Sequence, residues 1–146
     1  MAHILVMEDN PEHAAMIVEI LESVGHKTLV CADGSSAWEE LQRGRYDLLI
    51  VDIYVKKDGA FLPDGGVTLL GRVRSPTNRV AEHLRWMVEV PIIAISGGQV
   101  IPGGFDPLRQ ARDLGADALL RKPIKLSDML EAVAELLRGE VPADRL

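Results

Sequence analysis

"DLLIVDIYVKKDGAF", residues 47–61, is the stretch on which the fold turns. Leu48, Leu49, Ile50 and Val51 are four consecutive apolar residues, the pattern of a short strand buried on both faces, and the run ends on Asp52. A carboxylate placed where a buried strand leaves the core needs a chemical reason. The stretch that follows is irregular and carries Lys56, Lys57 and Gly59.

Similar apolar runs lie on either side: Ile4 to Met7, Ile92 to Ile95 and Ala118 to Leu120, with a weaker one at Thr28 to Ala32. Helical spacing fills the gaps. Met16, Ile17, Ile20, Leu21 and Val24 fall on one face after Asn10 as a cap and Pro11 at the first helical position. Met129, Leu130, Val133, Leu136 and Leu137 repeat that pattern after Ser127, and shorter helices fit Ser36 to Arg43, Val67 to Arg74 and Pro107 to Leu114. Strands alternating with helices predict a parallel sheet covered on both faces, a (βα)5 doubly wound α/β domain. The expectation is a single domain over 1–146, with a core at about 3–138 and a frayed tail at 140–146.

Two stretches exceed what this fold needs. Ser75 to Glu89, "SPTNRVAEHLRWMVE", has a cap and a proline that predict an inserted helix carrying Val80, Leu84 and Met87, with Trp86 either packed or offered as a contact. Gly97 to Phe105, "GGQVIPGGF", holds four glycines and a proline in nine residues, a loop suited to movement or close approach.

Composition narrows the function classes. The chain of 146 residues is 47% hydrophobic and 26% charged, as soluble domains are, and its net charge of -6 argues against a surface made to bind nucleic acid or anionic lipid. Cys31 is the one cysteine, flanked by Val30 and Ala32, and reads as a small core residue rather than a reactive thiol. No Cys/His group has zinc spacing, and no apolar run approaches the 18 or so residues that span a bilayer. The first residues turn acidic too early for a signal peptide, so the expected location is cytoplasmic.

In an open parallel sheet, ligands bind beyond the carboxyl ends of the strands. The residues just past those ends are Glu8 and Asp9 after the first strand, Asp52 after the third, Ser96 after the fourth and Lys122 after the fifth. Three carboxylates brought together repel, by about 4 kcal/mol for a pair 4 Å apart at an effective dielectric near 20. A hard divalent cation such as Mg²⁺ suits oxygen-only ligands, and Lys122 adds a second positive charge. A carboxylate nucleophile, a metal, an ammonium and a hydroxyl are together the kit of phosphoryl transfer.

"ILVMEDN", "DLLIVDI", "PIIAISG" and "GADALLRKPI", in that order over nearly the whole chain, resemble the receiver domain of two-component response regulators. The resemblance implies a flavodoxin-like sheet with strand order 2-1-3-4-5. It implies that Asp52 accepts a phosphoryl group from a histidine kinase or phosphotransfer protein, and that Glu8, Asp9, Asp52 and the Tyr54 backbone carbonyl hold Mg²⁺. Ser96 and Lys122 would contact the phosphoryl group, and Lys122-Pro123 would be a cis peptide.

The chain also departs from that pattern. Val55 and Lys56 stand where the family has Met-Pro, and the best Asp-Gly match, Asp64-Gly65, comes late. The aromatic switch position, three before the lysine, is Leu119, which leaves the usual coupling with Ser96 in doubt and shifts the expectation to the loop at 97–104. Tyr54 and Gly98, two past Asp52 and Ser96, flank the expected path of attacking water and are expected to set the dephosphorylation rate. With Arg138 only eight residues from the end of the sequence, the expectation is a protein that signals by contact with an unknown downstream protein. The face of the fourth helix, fifth strand and fifth helix is the expected docking surface, for that partner or for a second copy in a homodimer.

Two other functions compete. An aspartyl phosphohydrolase like the haloacid dehalogenases would need a second aspartate two positions after the nucleophile, where this chain has Tyr54; the expectation is that the protein is no enzyme in that sense. A pseudo-receiver, an interaction module never phosphorylated, would fit the rebuilt loops but not the full set of site residues.

Overall fold

The computed structural model describes residues 1–53, 56–57, 60–61, 65–97 and 107–142. Its main sheet has five strands: β1 (His3–Met7), β2 (Lys27–Cys31), β3 (Leu48–Asp52), β6 (Ile92–Ser96) and β7 (Ala118–Arg121). They run parallel in the order β2-β1-β3-β6-β7, which is the predicted 2-1-3-4-5. Strands β4 (Lys56–Lys57) and β5 (Ala60–Phe61) form a separate antiparallel hairpin within the segment that was expected to be irregular.

Five helices cover the sheet: α1 (Pro11–Glu22), α2 (Gly34–Arg43), α3 (Gly66–Val73), α4 (Pro107–Asp113) and α5 (Leu126–Leu137). One core layer joins Ile17, Ile20 and Leu21 of α1 to Met129, Val133 and Leu136 of α5; the other joins Leu41, Leu70 and Leu108 of α2, α3 and α4. The central strand β3 is buried at every position, because helices close it on both sides. Cys31 lies in the second layer, and burial together with the nearby acids pushes its thiol up to about 11, the state of an inert core residue.

Helix ends follow local rules. Asn10 Oδ1 accepts from the N–H groups of Glu12 and His13, and Pro11 takes the position where a missing N–H costs nothing. Asp33 caps α2 by accepting from Ser36 N at 2.7 Å. On α1 the buried stripe is Ala14, Ile17, Ile20 and Leu21; Met16 and Val24, expected inside, are exposed. Leu137 likewise sits at the exposed margin of α5, where Ala132 is buried instead. In both helices an alanine is among the buried residues, Ala14 in α1 and Ala132 in α5, while the larger residue stands at the exposed margin.

The inserted segment is not the single helix that its sequence suggests. It forms two 3-10 stretches, Pro76–Arg79 and Glu82–Val88, held by bonds such as Val80 N to Thr77 O and Leu84 N to Ala81 O. The cause is Asn78. Its buried amide donates to the carbonyls of Arg72 and Val73 at 2.7 and 2.9 Å, sealing the end of α3 instead of opening a new α-helix. Met87 is fully buried and Leu84 half-buried as expected, but Val80 is 87% exposed. Trp86 is half-buried, its ring 6.5 Å from that of buried Tyr46.

Arg74 ties this segment to the sheet. Its guanidinium donates to the carbonyls of Met87, Val88 and Gly115, each at 3.0 Å, and to Asp117 Oδ2 at 2.8 Å, which also accepts from Ile92 N. Gly115, at φ 106, is required twice over: its backbone is left-handed, and a side chain there would strike Arg74.

Candidate functional site

All five sheet strands point the same way, so their carboxyl ends deliver side chains to one edge. Glu8 follows β1, with its N–H bonded to Cys31 O at 2.9 Å; Asp52 is the last residue of β3; Ser96 ends β6; Lys122 follows β7, with its N–H bonded to Ser96 O at 2.9 Å. Glu8, Asp52 and Ser96 are buried, whereas Asp9 is exposed at the rim. The Lys122-Pro123 peptide is cis, as the resemblance implied.

Side-chain geometry brings four of the five predicted residues together. Lys122 Nζ donates to Glu8 Oε1 at 2.6 Å and to Asp52 Oδ2 at 3.1 Å. Glu8, Asp9 and Asp52 each offer an oxygen within 4.8 Å of the other two. The position of Ser96 at the end of the neighbouring strand, one residue past the Asp52↔Ile95 register pair, sets it beside Asp52. Tyr54 and Gly98, named for the metal carbonyl and for rate tuning, lie outside the described residues, as does most of the glycine-rich loop. Leu119 is fully buried against α4 and α3 residues, packed as a core side chain.

The electrostatics are unbalanced. Burial pushes Glu8 up to about 8, and the neighbouring Asp52 adds to the shift, while Lys122 opposes it. Burial alone would pull Lys122 down, but Glu8 and Asp52 hold its pKa above the ordinary value, so its ammonium is secure. Among the described residues, Glu8 Oε2 is buried without a hydrogen-bond partner. An orphaned carboxyl oxygen beside two more carboxyl groups fits a hard cation with oxygen ligands, and these three residues are the ones that could hold it.

Two features escaped the sequence reading. His13, on α1, places Nδ1 3.0 Å from Lys122 Nζ and 3.1 Å from Glu8 Oε1; a helical residue five past an acid carries no motif to announce it. Gly66 is the other. A Cβ there would collide with the Asp52 backbone oxygen and stand 2.8 Å from Ile53 Cα, so the start of α3 presses directly on the strand that carries Asp52. The late Asp-Gly pair at 64–65 therefore sits one residue short of the glycine that the packing requires.

Comparison with known proteins agrees with this geometry. The model of the family described as response regulator receiver domain matches residues 4–134. The transcriptional regulatory protein TcrA of Mycobacterium tuberculosis is 28% identical over 141 residues, covering 95% of this chain and 47% of its own length. Transcription factor SKN7 of Saccharomyces cerevisiae is also 28% identical over 141 residues, covering 96% of this chain and 19% of its own length. The chain thus spans about half, or far less, of the curated relatives it matches. Among solved structures, the receiver domain of sensor histidine kinase PA1611 from Pseudomonas aeruginosa, described with a magnesium ion coordinated in its active site cleft, is 26% identical. It aligns with a TM-score of 0.70 over 95% of this chain and 98% of its own. The Francisella response regulator 1452 receiver domain shares the fold at a TM-score of 0.73 and 21% identity, over 95% of this chain and 98% of its own.

Proposed function

The chain belongs to the response regulator receiver domains of two-component systems, and from that premise we propose that it accepts a phosphoryl group on Asp52 from a histidine kinase or phosphotransfer protein. One observation carries this reading: Asp52, buried at the end of the central strand, has its Oδ2 paired at 3.1 Å with an ammonium that comes from 70 residues away. In the transfer, an Asp52 oxygen forms a P–O bond as the donor's P–N bond breaks, and the donor histidine departs. Lys122 neutralises phosphoryl oxygens, and Ser96 offers them a hydroxyl. Glu8, Asp9 and Asp52 would hold Mg²⁺, whose chemistry is to offset the charge that gathers on those oxygens.

The reading places the protein in the cytoplasm with its kinase; among the described residues no helix is long and apolar enough to cross a membrane. Signalling would run by protein contact, with a downstream partner or a second copy docking on the face of α4, β7 and α5. Because Leu119 is packed rather than a mobile aromatic ring, the change on phosphorylation is assigned to the loop at 97–104. Gly98 there, and Tyr54 beyond Asp52, would tune the lifetime of the phosphorylated state.

The test is intact mass after incubation with acetyl phosphate and Mg²⁺. A single phosphoryl adduct on the wild type, absent from Asp52→Asn, is expected. No adduct with undiminished partner binding would mean a pseudo-receiver, and steady turnover of small phosphomonoesters would mean a phosphohydrolase.

A further inference from the structure

His13 reaches the site from the side of α1, and nothing in the phosphoacceptor reading uses it. It is the third residue of the helix, its N–H held by Asn10 Oδ1 at 3.2 Å. Helical side chains lean toward the N-terminus, which brings Nδ1 to 3.0 Å from Lys122 Nζ. An ammonium can only donate, so this contact needs the Nδ1 lone pair and places the imidazole proton on Nε2. The 3.1 Å approach to Glu8 Oε1 is then two acceptors gathered around one donor.

Lys122 has three N–H bonds, and three acceptors surround it: Glu8 Oε1 at 2.6 Å, His13 Nδ1 at 3.0 Å and Asp52 Oδ2 at 3.1 Å. A phosphoryl group on Asp52 brings new oxygens to the same ammonium, so one present contact must be surrendered. Glu8 and Asp52 are buried and cannot turn to water, whereas the His13 side chain is 44% exposed and can. The contact with His13 is therefore the one released. His13 is not a member of the group of acids whose ligand atoms all lie within 4.8 Å of one another, although its Nδ1 lies 3.1 Å from one of them, Glu8; its hydrogen bond is to the ammonium.

We propose that His13 is a positioning residue that holds Lys122 in the unphosphorylated protein and competes with the phosphoryl group for its third N–H. The proposal rests on the phosphoacceptor reading of Asp52. Its test is binding of beryllofluoride, a phosphoryl mimic, with Mg²⁺ by fluorine NMR to the wild type, His13→Leu and His13→Asn. Removing one competing hydrogen bond should tighten binding about fivefold in His13→Leu. His13→Asn, whose Oδ1 has the reach of Nδ1, should return the affinity toward the wild-type value. The ¹⁵N signal of Lys122 Nζ should differ between wild type and His13→Leu in the free state and coincide once the mimic is bound. Equal or weaker binding by His13→Leu, or a free-state Nζ signal indifferent to it, would overturn the proposal alone. A wild-type protein that binds no beryllofluoride would overturn the phosphoacceptor reading, and this proposal with it.

Discussion

Glu8 and Asp52 are each 2% exposed and share one ammonium, so the metal-free site keeps its charge down by retaining a proton on Glu8 up to about pH 8. A metal ion needs that oxygen bare. Mg²⁺ binding should therefore release close to one proton per ion at pH 7 and strengthen as pH rises, levelling off above about 8. Calorimetry in buffers of different ionisation enthalpy reads this directly, and Glu8→Gln should abolish the proton release. The same shift has a sign for stability. Glu8 is raised in the folded state, so its contribution to the stability of the metal-free protein should be full below its ordinary pKa and be lost as pH rises through about 8. Urea unfolding with and without Mg²⁺ should show the ion restoring what that rise removes. Residues such as Asp52 and Lys122 were legible in the sequence because strand ends have a fixed address: once the strand is found, so is the edge its last side chain joins. His13 was not, since a helix surface position acquires meaning only when the partner 109 residues away is in place.

At the scale of elements, α3 offers a paired experiment within one helix. Gly66→Ala presses a methyl group into the Asp52 backbone and should destabilise the protein by about 1–3 kcal/mol. Gly71→Ala meets nothing within 4 Å and should stabilise it by about 0.5–1 kcal/mol. Urea midpoints decide both, and Gly66→Ala should also slow phosphorylation because the push falls on Asp52 itself. Arg74 carries a second prediction. Arg74→Met strands three backbone carbonyls that its guanidinium satisfies, costing about 2 kcal/mol or more, and amide exchange over residues 76–90 should quicken ahead of the rest. The helices and strands of the sheet could be read from periodicity because burial on one stripe or two faces writes a repeat. The inserted segment could not. Its 3-10 form depends on Asn78 bonding to Arg72 and Val73, a contact that local propensity for a helix after Ser75 and Pro76 does not encode. Met16 and Val24 misled for a related reason: a helical stripe is broad, and only packing decides which margin turns outward.

Across the whole molecule, the sheet has two working edges. One gathers the acids, the hydroxyl and the ammonium; the insertion is pinned elsewhere, through Arg74 to Gly115 and Asp117, on the amino side of β7. Its first anchor, Asn78, and its last, the carbonyls of Met87 and Val88, both attach to the final turn of α3 or the residue after it. Between those anchors, Val80 stands in solvent, in the segment that leads from the end of α3 to the amino end of β6. Such an arrangement is a ready-made handle. A short epitope or dye-bearing peptide spliced between Val80 and Ala81 should leave the unfolding midpoint and the yield of acetyl phosphate adduct unchanged, and so report on the protein in a living cell without muting it.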